Sequence, residues 1–139
     1  MDLNYELLCE LTSTLDKPLE IGQTPFGERT IYPEGVGTFE GPKIKGKVLA
    51  NGGDWVLRLN STTSKLDVRV ASETDDGELI YSYYEGFIHN NADESYYFRT
   101  NPIFQTSSKK YNWLNHTIAV GVGKIKFKGS VAHKIYAIK

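Results

Sequence analysis

Alternation of apolar and polar residues with a period of two most restricts how this sequence can fold. The alternation recurs along most of the 139-residue chain, whereas apolar residues at helical spacing do not persist beyond two turns. A period of two places successive side chains on opposite faces of a strand. We therefore predict an all-β fold. Strands are expected over residues 5–15, 38–48, 55–60, 65–74, 79–88, 96–100, 117–128 and 131–138.

Three glycine-containing segments predict chain reversals between these strands. Asp75-Asp76-Gly77 joins two alternating runs and supplies the glycine that a tight hairpin needs at positive φ. Residues 51–54 and 128–130 carry the same kind of signal. Strands joined by short reversals either close into a barrel or stack as a sandwich. Glycines inside the strand-like runs favour the strong coiling of a barrel, so we predict a single antiparallel β-barrel domain over residues 1–139.

Two stretches lack a clear strand pattern. Residues 21–37 contain four glycines and two prolines. Such a density of residues that interrupt regular structure predicts a long ordered loop near the N-terminus. Residues 102–115 are predicted to form a second loop, which includes one short helical turn over residues 111–114.

Charge limits the classes of partner. Sixteen basic and seventeen acidic residues give a net charge of −1, so no overall field attracts phosphate backbones or anionic lipid. The one basic cluster, Lys124, Lys126 and Lys128, alternates with apolar residues, which is typical of a strand with one solvated face. No long apolar run is present. The sequence therefore predicts neither a nucleic-acid partner nor a membrane partner.

Cysteine and histidine usage gives no sign of a metal or a cofactor. Cys9 is the only cysteine and cannot form an internal disulfide, which together with the lack of a secretory leader favours a cytoplasmic location. The three histidines, His89, His116 and His133, lie far apart without metal-ligand spacing. Phosphate-binding loops and the common nucleophile motifs are absent from the sequence. We therefore predict neither a metal nor a cofactor.

Asp67 and Arg69 form the most suggestive polar pair. They share one face of a predicted strand, and Leu66 and Val68 share the other. If the apolar face points inward, the pair is a surface ion pair worth ~0–1 kcal/mol. If the polar face lines a barrel mouth, the guanidinium provides a fixed fork for a carboxylate or an enolate. The sequence leaves both arrangements open.

Further aromatic and basic residues extend this candidate site. Tyr97 and Arg99 share one face of the strand over residues 96–100. Tyrosines line many pockets for partly polar molecules, although they also suit half-buried strands. The first hypothesis is that the barrel interior or mouth binds a small acidic or aromatic molecule. Its ligand-binding residues are predicted to be Trp55, Asp67, Arg69, Tyr97, Arg99 and Trp113.

Two other classes of function stay open. The chain could be a cofactor-free isomerase, lyase or cyclase, with Asp67 or Glu40 as the base and Arg69 or Tyr97 stabilising an oxyanion. It could instead be a structural or interaction module that self-associates as a homo-oligomer through an edge strand. The sequence identifies neither the ligand nor the reaction, and it does not decide between an enzyme and a binding protein.

Seven short motifs, in order along nearly the whole chain, resemble uncharacterised protein family 0311, also described as domain of unknown function 3237. The family consists of small bacterial and fungal proteins. The motifs are Gly22-x-Thr24-Pro25-x-Gly27-x-Arg29, Gly37-Thr38-Phe39-Glu40-Gly41-Pro42, Gly52-Gly53-Asp54-Trp55, Leu66-Asp67-x-Arg69, Thr74-Asp75-Asp76-Gly77, Tyr97-Phe98-Arg99-Thr100 and Trp113-Leu114-Asn115.

The resemblance implies a fold but not an activity. The implied fold is a closed antiparallel barrel. One departure from the family pattern is visible, since Ala50-Asn51 stands where a proline is usual. The polar motif positions that the resemblance marks are Arg29, Glu40, Asp54, Asp67, Arg69, Asp75, Asp76, Arg99 and Asn115.

Overall fold

The computed structural model describes the backbone of residues 1–139 and every side chain except that of Lys128, so the third lysine of the basic cluster lies partly outside the described residues. Over this range the chain forms eleven strands and two short 3-10 turns. The strands are β1 (Tyr5–Leu15), β2 (Leu19–Thr24), β3 (Gly27–Glu40), β4 (Lys45–Val48), β5 (Gly53–Arg58), β6 (Thr63–Thr74), β7 (Leu79–Asn90), β8 (Tyr96–Thr100), β9 (Ile103–Gln105), β10 (Ala119–Ile125) and β11 (Ser130–Ile138). The 3-10 turns span Asn112–His116 and Phe127–Gly129.

Eight of these strands close into an antiparallel barrel. Their hydrogen-bonded order is β6, β5, β3, β1, β11, β10, β8 and β7, and β7 pairs with β6 to complete the circle. Before the first residue of β5, β4 occupies the same position between β3 and β6. In the same way, β9 follows β8 and pairs with the next part of β7. Closure pairs the edges of these eight strands with one another. The predicted all-β class and closed barrel are confirmed.

Several local predictions are also confirmed. The bounds of β1 and β8 are those that the alternation predicts. Gly77 has a φ of +87° in the turn between β6 and β7, as the tight hairpin requires. The chain reverses at residues 126–130, where Ile125 pairs with Val131. The short helical turn near residue 111 is the 3-10 turn Asn112–His116.

The long ordered loop predicted over residues 21–37 is wrong. This segment belongs to the hairpin of β2 and β3, and β3 continues as a central strand of the barrel. Its glycines lie within the paired strands and do not interrupt them. Gly22, at a φ of +97°, lies at a register shift between the two strands, and Gly27, at +137°, is the first residue of β3 after the turn at residues 25–26. Local propensity therefore gives way to long-range strand pairing.

Two predicted connections are also wrong. The single strand expected over residues 38–48 is a reversal, in which the Gly41 N–H donates to the Ile44 carbonyl and β4 turns back along β3. The reversal expected at residues 51–54 is a continuation, because β4 and β5 both run antiparallel to β3 and to β6. The glycines there mark a break along one strand direction.

The interior of the barrel differs between its two ends. At the end that we call the filled end, the 3-10 turn Asn112–His116 places Leu114, only 1% exposed, against the core. The free space there amounts to only about 40 Å³. At the opposite end, which we call the hollow end, the interior contains a much larger cavity. Large apolar side chains occupy the filled end, among them Leu8, Phe39, Ile44, Ile80, Phe104 and Leu114.

Candidate functional site

The residues that the sequence singled out on β6 lie on the outer surface of the barrel. Leu66 and Val68 point inward and are each 3% exposed. Asp67 and Arg69 alternate with them along β6, so their side chains face solvent. Of the two arrangements left open by the sequence, the structure has the one with a surface ion pair. Arg69 Nη1 lies 3.3 Å from Asp67 Oδ1.

Aromatic rings surround this surface pair. The Arg69 guanidinium lies 4.9 Å from the ring centre of Tyr83 and 5.9 Å from that of Trp55. Stacking of a guanidinium on aromatic faces contributes about 0.5–1 kcal/mol at exposed sites. The structure thus brings Trp55, Asp67 and Arg69 together, but on the outside of the barrel.

The other predicted site residues lie elsewhere on the surface. Arg99 stacks on Tyr97 at 5.0 Å, and both are exposed. Arg99 pairs with Phe87, which pairs with Lys65, so Arg99 and Arg69 are offset by four residues, roughly 13 Å along the strands. Trp113 lies at the filled end, 5.9 Å from the Lys43 ammonium. Glu40, considered as an alternative base, is also exposed. These residues do not share one cavity.

The cavity at the hollow end has a volume of about 310 Å³. Its wall is formed by residues of all eight barrel strands and by Gly129 in the turn before β11. The apolar part includes Val56, Leu66, Val68, Ile88, Phe98 and Val131. The polar part consists of Tyr32, Glu34, Asp54, Ser64, Tyr84, Ser130 and His133.

Strand register sets four of these residues in one row across the wall. Tyr32 pairs with Asp54, Asp54 with Val68, and Val68 with Tyr84. Directly paired residues point to the same face of a sheet. The row therefore carries a phenol, a carboxyl group and a second phenol into the cavity from β3, β5 and β7.

Asp54 is the carboxyl group in this row. Its Oδ1 accepts a hydrogen bond from the Asp67 backbone N–H at 3.2 Å, which fixes the orientation of the group. Burial raises the pKa of Asp54 to about 7, and the negative charges of Glu34 and Asp67 add to this effect. Asp54 therefore changes its protonation state near neutral pH, as a general acid or base must.

Glu34 brings a second carboxyl group to the same cavity. It is 5% exposed, and burial raises its pKa, although a hydrogen bond with Ser13 opposes the shift. A β-bulge produces this placement. The pairing of β1 with β3 shifts between Ser13 and Leu15, and the Glu34 N–H donates to the Gly52 carbonyl at 2.9 Å. Such bulges commonly redirect a side chain.

His133 approaches the cavity from β11. It is 5% exposed, and its ring lies edge-on to Phe98 at 5.0 Å and to Tyr84 at 5.7 Å. Neither Nδ1 nor Nε2 has a hydrogen-bond partner among the described residues. Burial lowers the pKa of His133 to about 4, so the imidazole is neutral at physiological pH. A buried polar side chain without a partner calls for an explanation.

The sequence contained only part of the signal for this site. Asp54 stands among the polar positions marked by the family resemblance, but Glu34 lies in the segment expected to be a loop. His133 is separated from the buried Ile135 and Ala137 by an even number of positions along β11, so it points to the same face. The alternation alone therefore places His133 inside the barrel, whereas its proximity to Asp54 and Glu34 depends on barrel closure.

The described residues contain no group of three or more histidine, cysteine, aspartate or glutamate side chains placed to hold a metal ion. None of the helical segments in the described chain has the length and apolar character needed to cross a membrane.

Comparison with known families and structures gives consistent matches. The family model described as protein of unknown function (DUF3237) matches residues 3–138. A UPF0311 protein of Clostridium acetobutylicum is 36% identical over an alignment of 136 residues. The match covers 86% of this chain and 84% of that protein.

Solved structures match over the whole chain. The crystal structure of a β-barrel-like protein from Acinetobacter baumannii AYE has a TM-score of 0.95 and 34% identity, and the match covers 100% of this chain and 98% of that one. An enzyme from Penicillium herquei has a TM-score of 0.77 and 22% identity, with 100% and 96% covered. At that identity, the second likeness concerns the fold alone.

Proposed function

This chain belongs to the DUF3237 family, and we propose that it binds a small, neutral molecule with an aromatic or otherwise apolar body inside the hollow end of its barrel. The observation that carries this proposal is the 310 Å³ cavity, whose wall includes the buried His133, a side chain with neither ring nitrogen partnered among the described residues.

The size of the cavity limits the ligand. Cavities for small organic ligands usually start at about 300 Å³. An apolar cavity of about 150 Å³ accommodates benzene, so the present cavity offers roughly the space of a two-ring compound. Val56, Leu66 and Phe98 supply apolar surface for such a body.

The charge of the wall favours a neutral ligand. No lysine or arginine occurs among the described residues that line the cavity, and the wall contributes two carboxyl groups. A carboxylate ligand would enter a poorly solvated space without a cation to balance it, which is costly. A hydroxyl or carbonyl group can instead exchange hydrogen bonds with His133, Tyr84 or Asp54. We therefore retain the aromatic ligand of the initial hypothesis and replace the acidic one.

Matched ligand pairs test this proposal. Melting temperature is measured with 2-naphthol and 2-tetralone, and with 2-naphthoate as an acid of similar size. A ligand that prefers the folded state raises the melting temperature. We expect the two neutral compounds to raise it and 2-naphthoate to leave it unchanged at about pH 7.

Two phenylalanine variants locate the site. Val56→Phe adds volume inside the cavity, and Val122→Phe adds the same type of ring on the outer face of β10. We expect only Val56→Phe to weaken binding, by on the order of 10-fold or more. Equal affinity in both variants would overturn the interior site. Binding of naphthoate that is lost in Arg69→Gln or Arg99→Gln would place the ligand on the outer surface instead.

A further inference from the structure

We infer, on the basis of the proposed binding function, that the hollow end is also a cofactor-free catalytic site in which Asp54 moves a proton on a neutral, enolisable ketone. The inference rests on the arrangement of proton-donating and proton-accepting groups around one cavity. Asp54 lines that cavity from β5, and Tyr84 and His133 line it from β7 and β11.

Asp54 has the geometry of an oriented base. Its Oδ1 is held by the Asp67 N–H, while Oδ2 has no hydrogen-bond partner in the described part of the chain. The side chain lines the cavity, so this second oxygen is available to a bound molecule. A base fixed on a barrel strand is positioned more precisely than one on a loop.

Donors for a developing oxyanion lie across the cavity. Asp54 and Tyr84 are separated by the single residue Val68 in their row, which sets their backbones roughly 10 Å apart. Both side chains line the cavity beside Val68, so a ketone bound there can contact the carboxyl group and the phenol together. The hydroxyl group of Tyr84 has no hydrogen-bond partner among the described residues and can donate to a ketone oxygen, as can a neutral imidazole N–H of His133.

The proposed step is balanced without any co-reactant. The Asp54 carboxylate takes a proton from the carbon next to the carbonyl group, and the C–H electron pair becomes the C=C bond of an enolate. The carbonyl π pair moves to oxygen, where Tyr84 or His133 stabilises the charge. Protonated Asp54 then returns the proton to the same carbon or, in an unsaturated ketone, to the far end of the conjugated system. The second outcome is an isomerisation, and the carboxylate is regenerated.

Several charged and titratable groups face Asp54 and set its behaviour with pH. Glu34 and Tyr32 face it from β3, Tyr84 from β7 and His133 from β11, and the outward Asp67 carboxylate on β6 is near enough for its charge to act on it. The negative charges of Glu34 and Asp67 raise the pKa of Asp54 further above its ordinary value. Only the carboxylate form is a base, so activity is expected to rise with pH.

Deuterium exchange of 2-tetralone tests the inference directly. Exchange of the hydrogens next to the carbonyl group is followed by proton NMR in D₂O, with and without protein. We expect the protein to accelerate exchange and Asp54→Asn to reduce that acceleration by on the order of 100-fold or more. Asp54→Asn keeps the side-chain oxygen that accepts the Asp67 N–H, so the fold and ligand binding should persist. Asp75→Asn, the same change at an exposed carboxyl group in the turn between β6 and β7, is the matched control and should retain exchange.

Each result has a distinct meaning. Exchange that rises with a midpoint near pH 7 in the wild type, and is absent in Asp54→Asn despite a retained ligand-induced melting shift, supports the catalytic site. Binding of 2-tetralone without accelerated exchange would overturn the catalytic inference and leave the binding function intact. Failure of every neutral aromatic compound to bind would overturn both. Equal exchange by wild type and Asp54→Asn would exclude Asp54 as the base.

Discussion

The filled and hollow ends of the barrel are built from the same strands but have different interiors. At the filled end, the 3-10 turn Asn112–His116 inserts Leu114 and closes the core to about 40 Å³ of free space. At the hollow end, only the short turn between β10 and β11 reaches the interior, and about 310 Å³ stay open. Strand closure forms the wall of the barrel. Segments outside the strands then determine whether the interior of each end is a packed core or an open cavity.

The polar groups follow the same division. Glu34, Asp54 and His133 all belong to the wall of the hollow end. Burial disfavours the charged form of each group, so it raises the pKa of the two carboxyl groups and lowers that of the imidazole. The filled end is therefore packed as a core, and the hollow end holds the buried titratable groups on which the proposed function rests.

The largest effect is expected from opening the filled end. Leu114→Ala removes a side chain that is 1% exposed and leaves a cavity in a well-packed core. Such substitutions cost about 2–5 kcal/mol of unfolding free energy. Chemical denaturation measures the loss, with Trp113→Ala on the more exposed side of the same turn as the control. A loss below about 1 kcal/mol for Leu114→Ala would remove the distinction between the two ends.

The next effect concerns Asp54 and has a defined sign. The pKa of Asp54 is raised from 3.8 to about 7 in the folded protein. Between these values the unfolded chain has released a proton that the folded chain keeps, so the unfolding free energy falls as pH rises from about 4 to about 7. Asp54→Asn removes this loss. We expect it to be more stable than wild type at about pH 8, by about 1.4 kcal/mol per unit of the pKa difference. Denaturation curves of both proteins across this range provide the measurement, and parallel curves would contradict the assignment.

His133 is expected to act in the opposite direction. Its pKa is lowered from 6.5 to about 4, so the unfolded chain takes up a proton first and stability falls as pH drops from about 6.5 to about 4. His133→Phe keeps an aromatic ring beside Tyr84 and Phe98 and removes this acid loss. The variant should therefore gain stability over wild type at about pH 4. In the wild type the contributions of Asp54 and His133 oppose each other between about pH 4 and pH 6.5. An unchanged acid profile in His133→Phe would rule out a buried neutral imidazole.

The smallest effect is expected on the outer face. Arg69→Gln removes a partly exposed ion pair with Asp67 and the contacts with Tyr83 and Trp55. Exposed ion pairs contribute about 0–1 kcal/mol, and salt screens them. The unfolding free energy should change by less than about 1 kcal/mol, and less still at high salt. A loss as large as that of Leu114→Ala would show that the outer cluster supports the fold.

Local chemistry made much of the fold predictable. The alternation in β1 and β8 and the glycine at residue 77 gave the correct strands and hairpin. The predicted loop at residues 21–37 failed because Gly22 and Gly27 look like interruptions in the sequence but lie at a register shift and directly after the turn of a paired hairpin. Pairing of β3 with β1 and β5, which are more distant in the sequence, then makes this segment part of the barrel.

The candidate site was less accessible from the sequence than the fold. Asp67 and Arg69 were predicted to belong to a site because they are polar residues on one face of a single strand. The polar face of a half-buried strand is, however, usually the solvated one. Glu34, Asp54 and His133 are isolated in the sequence, on β3, β5 and β11. Their buried environment arises only when these three strands take their places around one cavity.

The sequence by itself determined the all-β class, the two faces of each alternating strand and the tight hairpin, because these depend on side-chain period and local backbone freedom. The tertiary structure decided which face lies inside, which end is filled and which polar groups meet. Barrel closure places residues from distant strands side by side, and burial then shifts the pKa values of Asp54 and His133. Neither effect exists before the strands pair, since both require removal of the side chains from water.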